Sequence, residues 1–142
     1  MSLPVWGAGR DVLAVKPPPP VKIKAGSVAA VSLRAELTPG YHVNSHTPSD
    51  EYLIPLRLTW SPGVAEVVKI SFPEPHLEAY QFSEKPLSVF TGDFDITTTF
   101  RVPAGVAAGR MPVEGGLRYQ ACSDRMCLPP RTIAVQVALE IE

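Results

Sequence analysis

The sequence lacks most of the features that fix a functional class at first reading. Charged residues make up only 19% of it, and the formal net charge is −1 with no long run of either sign. A basic, polyanion-binding surface is therefore missing, and nucleic acid is not an expected partner. No window approaches the apolar length of a membrane-spanning helix. The opening Met1-Ser2-Leu3-Pro4 has neither the basic start nor the apolar centre of a signal peptide. Met1-Ser2-Leu3 looks like a remnant of cloning, so a native leader is expected to have been removed. Nowhere does an apolar stripe of period 3.6 persist long enough for a substantial helix. Cysteine is scarcest of all, with two in 142 residues.

Proline, by contrast, is abundant at 16 residues, and Pro17-Pro18-Pro19-Pro20 is the clearest break in the chain. Such a run favours an extended polyproline conformation. Residues 1–19 are therefore expected to be a lead-in or peripheral segment, and 20–142 one domain, long enough to bury a single core.

Beyond that break, short β-type runs alternate with Pro/Gly turns. Val31, Leu33, Ala35 and Leu37 recur at period 2 within Val28–Leu37, and Ile133, Val135, Val137, Leu139 and Ile141 do so at the other end. Further strands are predicted at 21–24, 53–60, 64–72, 94–102 and 116–121. Many short strands without helices imply an all-β antiparallel sandwich or barrel, and the sandwich is favoured.

Both cysteines fall within Tyr119-Gln120-Ala121-Cys122-Ser123-Asp124-Arg125-Met126-Cys127-Leu128-Pro129-Pro130. A bridge between them closes a very small loop, so chain entropy contributes at most about 2 kcal/mol. A staple meant to hold the fold would link distant strands. The pair suits thiol–disulfide exchange better: it supplies one thiolate to attack in line and a second to resolve the mixed disulfide. Two alternatives stand beside this reading. One is a static bridge that pins a hairpin. The other is a copper or zinc site in which His42, His46 and Met126 join the cysteines as soft and imidazole ligands. Against the metal, the i, i+4 spacing of the histidines serves chiefly on a helix, and Pro39-Gly40 and Pro48 oppose one. Asn44 and Ser45 are expected to stabilise the local turn through side-chain-to-backbone bonds.

The segment Pro39-Gly40-Tyr41-His42-Val43-Asn44-Ser45-His46-Thr47-Pro48, the Tyr-Gln-x-Cys segment with its Pro-Pro exit, and Val89-Phe90-Thr91-Gly92 together resemble the N-terminal domain of the thiol:disulfide interchange protein DsbD. The resemblance runs from about Pro20 to the C-terminus. It implies an immunoglobulin-like β-sandwich acting as a periplasmic oxidoreductase domain without a cofactor. Its partners would be thioredoxin-fold redox proteins, met through transient mixed disulfides, and a longer parent protein would carry any membrane span. On the same resemblance, Cys127 forms the mixed disulfide and Cys122 resolves it, while Phe90 caps the pair with Tyr41 beside it. Tyr119, Gln120, Pro129 and Pro130 would support the cysteine loop. The chain departs from the family's best-known members in its Cys-x4-Cys spacing, one residue shorter. It also departs at Ser88 and Val89, where acidic residues occur in relatives.

Overall fold

Wherever apolar and polar residues alternate for long enough to bury one face, the chain forms strand. The computed structural model describes residues 11–142, so the first ten residues of the expected lead-in lie outside the described part. Twelve strands are present, with no helix among the described residues.

One sheet has the order β1 (Leu13–Lys16), β3 (Val28–Leu37), β9 (Phe94–Arg101), β6 (Glu66–Ser71), antiparallel throughout. The second has the order β2 (Val21–Ile23), β12 (Arg131–Ile141), β10 (Gly109–Tyr119), β5 (Arg57–Trp60), with β2 alone running parallel to its neighbour. Val31, Leu33, Ala35 and Leu37 of β3 and Val135, Val137, Leu139 and Ile141 of β12 belong to one buried core. A side-chain bond crosses that core: the Trp60 indole donates to the Thr98 hydroxyl at 3.0 Å, and the same ring meets Phe100 edge-on. Two sheets enclosing one such core make an immunoglobulin-like β-sandwich.

A third, smaller sheet has the order β11 (Ala121–Cys122), β4 (His42–Asn44), β8 (Leu87–Phe90), β7 (His76–Glu78). It gathers at the end where β3 and β10 finish and β9 and β12 begin. The chain passes from the second sheet into the third across Gln120 alone, so the cysteine segment continues a long interior strand.

The long strands match the sequence reading, with differences that have local causes. The strand expected at 116–121 begins at Gly109 instead. Pro112 and the glycines conceal that start, but β5 pairs only Gly115 to Arg118, so Pro112 lies where one side of the strand is open and a missing N–H is tolerated. Gly115 is there for space. A Cβ on it would sit 2.6 Å from the Thr59 carbonyl and 2.8 Å from the Trp60 ring. The strand expected at 53–60 shortens to Arg57–Trp60, behind Pro55. Residues 13–16, expected to be lead-in or peripheral segment, form β1 at a sheet edge with Leu13 fully buried.

Candidate functional site

The cysteines occupy a hairpin whose hydrogen bonds determine how they meet. Leu128 N–H donates to the Ala121 carbonyl and Ser123 N–H to the Met126 carbonyl, each at 2.8 Å. Cys122 and Cys127 lie between these two bonds, opposite one another at a non-hydrogen-bonded position. Facing side chains approach most closely at such a position. Their Cα atoms are 3.9 Å apart and a disulfide joins them. The Ser123 hydroxyl accepts from the backbone N–H of Arg125 and Met126 at 3.2 and 3.3 Å, which shapes the turn. Gln120 Nε2 donates to the Leu128 carbonyl at 3.3 Å and closes the stem. The two sulfur-bearing residues are not equivalent: Cys122 is 2% exposed, whereas Cys127 is on the surface with Met126 beside it.

Behind the hairpin, the buried Tyr119 donates its hydroxyl to Asp11 at 3.2 Å, and Asp11 also pairs with Arg131 Nε at 2.8 Å. Burial and the Asp11 charge raise the Tyr119 hydroxyl above its ordinary pKa, so it stays a donor. Pro129 and Pro130 are exposed on the exit strand. Half-buried Tyr41 borders an open groove with Leu128 and Pro129 on one side, and a cleft of about 670 Å³ with His42, Tyr80 and Asp124 on the other.

Register decides which side chains share the cysteine face. Cys122 pairs with His42, while Ala121 pairs with Val43 and Val43 with Phe90. Directly paired residues point to the same side of a sheet, and successive residues to opposite sides. Cys122 and His42 therefore share one face. Ala121, Val43 and Phe90 share the other, which belongs to the core. Phe90 is 3% exposed, with its ring 4.9 Å from Phe94 and 5.9 Å from His46. Phe90, expected to cap the pair, packs on the far side of the sheet from Cys122.

The aromatic rings on the cysteine face come from the segment after β7. Tyr80 stacks on His42 with centroids 4.2 Å apart, and Phe82 stacks on Tyr80 at 5.3 Å. Phe82 keeps 44% of its surface exposed. Tyr80 donates its hydroxyl to Glu78 at 2.9 Å, and Glu78 also contacts His76 at 3.2 Å. Burial, reinforced by Glu78, pushes the Tyr80 hydroxyl well above its ordinary pKa. The sequence reading passed over Tyr80 and Phe82. Their signal was two aromatics in a short polar stretch, Tyr80-Gln81-Phe82-Ser83-Glu84-Lys85-Pro86, where no strand needs them.

His42 and His46 part company. His46 stacks on Phe72 at 4.4 Å and on Phe90, away from His42 and its partners. The described residues contain no group of three or more His, Cys, Asp or Glu able to hold a metal ion. Asn44 and Ser45 tie down the excursion after β4: Asn44 Nδ2 donates to the Ile54 carbonyl at 3.0 Å, and the Ser45 hydroxyl meets that of Ser88 at 2.8 Å.

Comparison with known proteins places this geometry. Residues 10–139 match the family model described as "Thiol:disulfide interchange protein DsbD, N-terminal". Among solved structures, the reduced DsbD N-terminal domain of Neisseria meningitidis is similar, with a TM-score of 0.53 and 17% identity over 82% of this chain and 80% of that one. A type I cohesin–dockerin complex from Clostridium thermocellum shows a looser likeness that carries no functional argument. Its TM-score is 0.48 and its identity 11%, over 93% of this chain and 100% of that one. No curated protein sequence matches significantly.

Proposed function

The chain belongs to the family of DsbD N-terminal domains, and we propose that it passes reducing equivalents between periplasmic redox proteins through Cys122 and Cys127. The family is periplasmic and meets thioredoxin-like partners, which sets the compartment and partner class of this reading. No helix among the described residues is long and apolar enough to cross a membrane.

The observation that carries the proposal is the unequal burial of a bonded pair, with Cys127 outside and Cys122 at 2% exposure. Exchange needs a nucleophile in line with the S–S bond. Of the two, Cys127 is the exposed residue. A partner thiolate attacks Cys127, the electron pair of the broken bond goes to Cys122, and a mixed disulfide joins partner and domain. A second partner thiol, or the return of Cys122, releases it. The Tyr80–Phe82 stack takes the shielding role expected of Phe90, and displacement of residues 79–86 opens the cysteine face.

The test is capture of the intermediate. Cys122→Ser should accumulate a mixed disulfide through Cys127 with a Cys-x-x-Cys protein of thioredoxin fold, and Cys127→Ser should not. Adducts from neither variant would leave a static hairpin bridge as the better reading.

A further inference from the structure

We propose that His42 is the proton partner of Cys122: its Nε2 accepts the thiol proton when Cys122 attacks and returns it when Cys122 leaves. This inference rests on the exchange reading above and adds a residue to it. Three observations support it. His42 pairs directly with Cys122 across β4 and β11, on the same face of the sheet, where paired Cβ atoms lie about 4.5–5.5 Å apart. The residue is 2% exposed, yet its Nε2 has no hydrogen-bond partner. A buried polar atom without a partner costs roughly 1–3 kcal/mol and calls for an explanation. Finally, the ring is held flat against Tyr80, which fixes its plane.

The chemistry requires such a group. Cys122 is buried, and burial disfavours a thiolate, so the resolving attack is slow unless the proton has somewhere to go. The balance is as follows. Cys127 Sγ is bonded to the partner's sulfur. Cys122 Sγ–H gives its proton to His42 Nε2, and the resulting thiolate attacks Cys127 Sγ. The Cys127–partner bond breaks, and its electron pair leaves on the partner as a thiolate. The partner is reduced and the Cys122–Cys127 bond restored. In reverse, the proton on His42 neutralises Cys122 as it departs.

Burial lowers the His42 pKa below its ordinary value, partly offset by Glu78, so the ring is neutral and free to accept near neutral pH. The ionisable groups around it are Glu78 at the end of β7 and Tyr80 just after it, with Tyr41, Asp93 and Asp124 bordering the same cleft. Tyr80 is already committed to Glu78. His46 also has an unpartnered nitrogen, but it packs among Phe72 and Phe90 and pairs with no cysteine.

The experiment uses the reduced protein and an aromatic disulfide that liberates a coloured thiolate. Mixed-disulfide formation at Cys127 releases one thiolate, and attack by Cys122 releases the second. In the wild type the second release should rise with pH below the ordinary His value of about 6.5 and then level off. His42→Asn and His42→Phe should slow it at least tenfold at neutral pH. They should also move its rise toward the ordinary thiol range near 8.5, with the first release within twofold of wild type. His46→Asn should change neither release. A second release that is unaltered in His42→Asn, or slowed equally at every pH, overturns the proposal. If the variants do not fold, a wild-type profile rising only in the thiol range overturns it as well, and one that levels off near neutrality upholds it. Capture of a thioredoxin-fold partner is a separate measurement, so failure there leaves the small-reagent result on His42 intact.

Discussion

Tyr119 and Asp11, 108 positions apart in sequence, are joined by a 3.2 Å hydrogen bond at the base of the cysteine hairpin. Asp11 keeps its Arg131 partner when the phenol is removed. Tyr119→Phe should therefore cost about 1.5–3 kcal/mol, the range for a hydrogen bond to a charged group, read as a lower urea midpoint at unchanged slope. A larger loss would mean that Asp11 had become unpaired as well.

Phe90 and Phe82 should separate packing from access. Phe90→Ala removes a buried ring and should cost about 3–5 kcal/mol, while the folded variant reduces at the wild-type rate with a small thiol. Phe82→Ala should cost roughly 1 kcal/mol or less, since the ring is 44% exposed, yet should speed reduction several-fold. The paired stability and rate measurements decide. A faster Phe90→Ala beside an unchanged Phe82→Ala would return the cap to Phe90.

Gly115→Ala places a methyl group against the Thr59 carbonyl and the Trp60 ring. Overpacking of that kind costs about 1–3 kcal/mol, and its visible mark should be weakened protection of the β5 amides in hydrogen exchange. An Ala variant as stable as wild type would show that β5 moves aside freely.

Acid should act through buried His42 and half-buried His46. Burial lowers the pKa of His42 and of His46 in the folded chain, so the unfolded chain binds more protons below the ordinary His value. Stability should fall as pH drops from about 7 through 6.5 and on to the lowered folded values. His42→Asn should flatten part of that decline, leaving the His46 share. Parallel declines in urea midpoint for wild type and variant would show that His42 does not carry its part.

How much of this was legible in the sequence depends on the reach of each feature. Val28–Leu37 and the final strand announce themselves because one face of each is buried along its length. The cysteine pair was legible from scarcity and spacing. None of the third sheet's strands was predicted as a strand of its own, because each has only two to four residues. A run that short has no measurable period, and it is strand only because its neighbours pair with it. The same limit left Phe90 open. Before Thr91-Gly92 it reads equally as a cap or as a core ring at a strand end, and its pairing with Val43 turns it into the core. Register of this kind comes from tertiary pairing, and local sequence does not encode it. Tyr80 and Phe82 occupy a segment that is neither strand nor tight turn, where their role depends wholly on what they cover.

The hairpin's stem is the beginning of the longest ladder in the molecule: Tyr119 pairs with Arg131, and the pairing continues without interruption to Gly109 and Ile141. The sulfur bridge is thus a clasp at the tip of a zipper that is already shut. The eleven pairs of that ladder do not pass through the bridge. The domain can therefore hold either oxidation state as the same folded object. The proportion of the two forms in a population then reports chiefly the supply of electrons, since closing so small a loop adds at most about 2 kcal/mol.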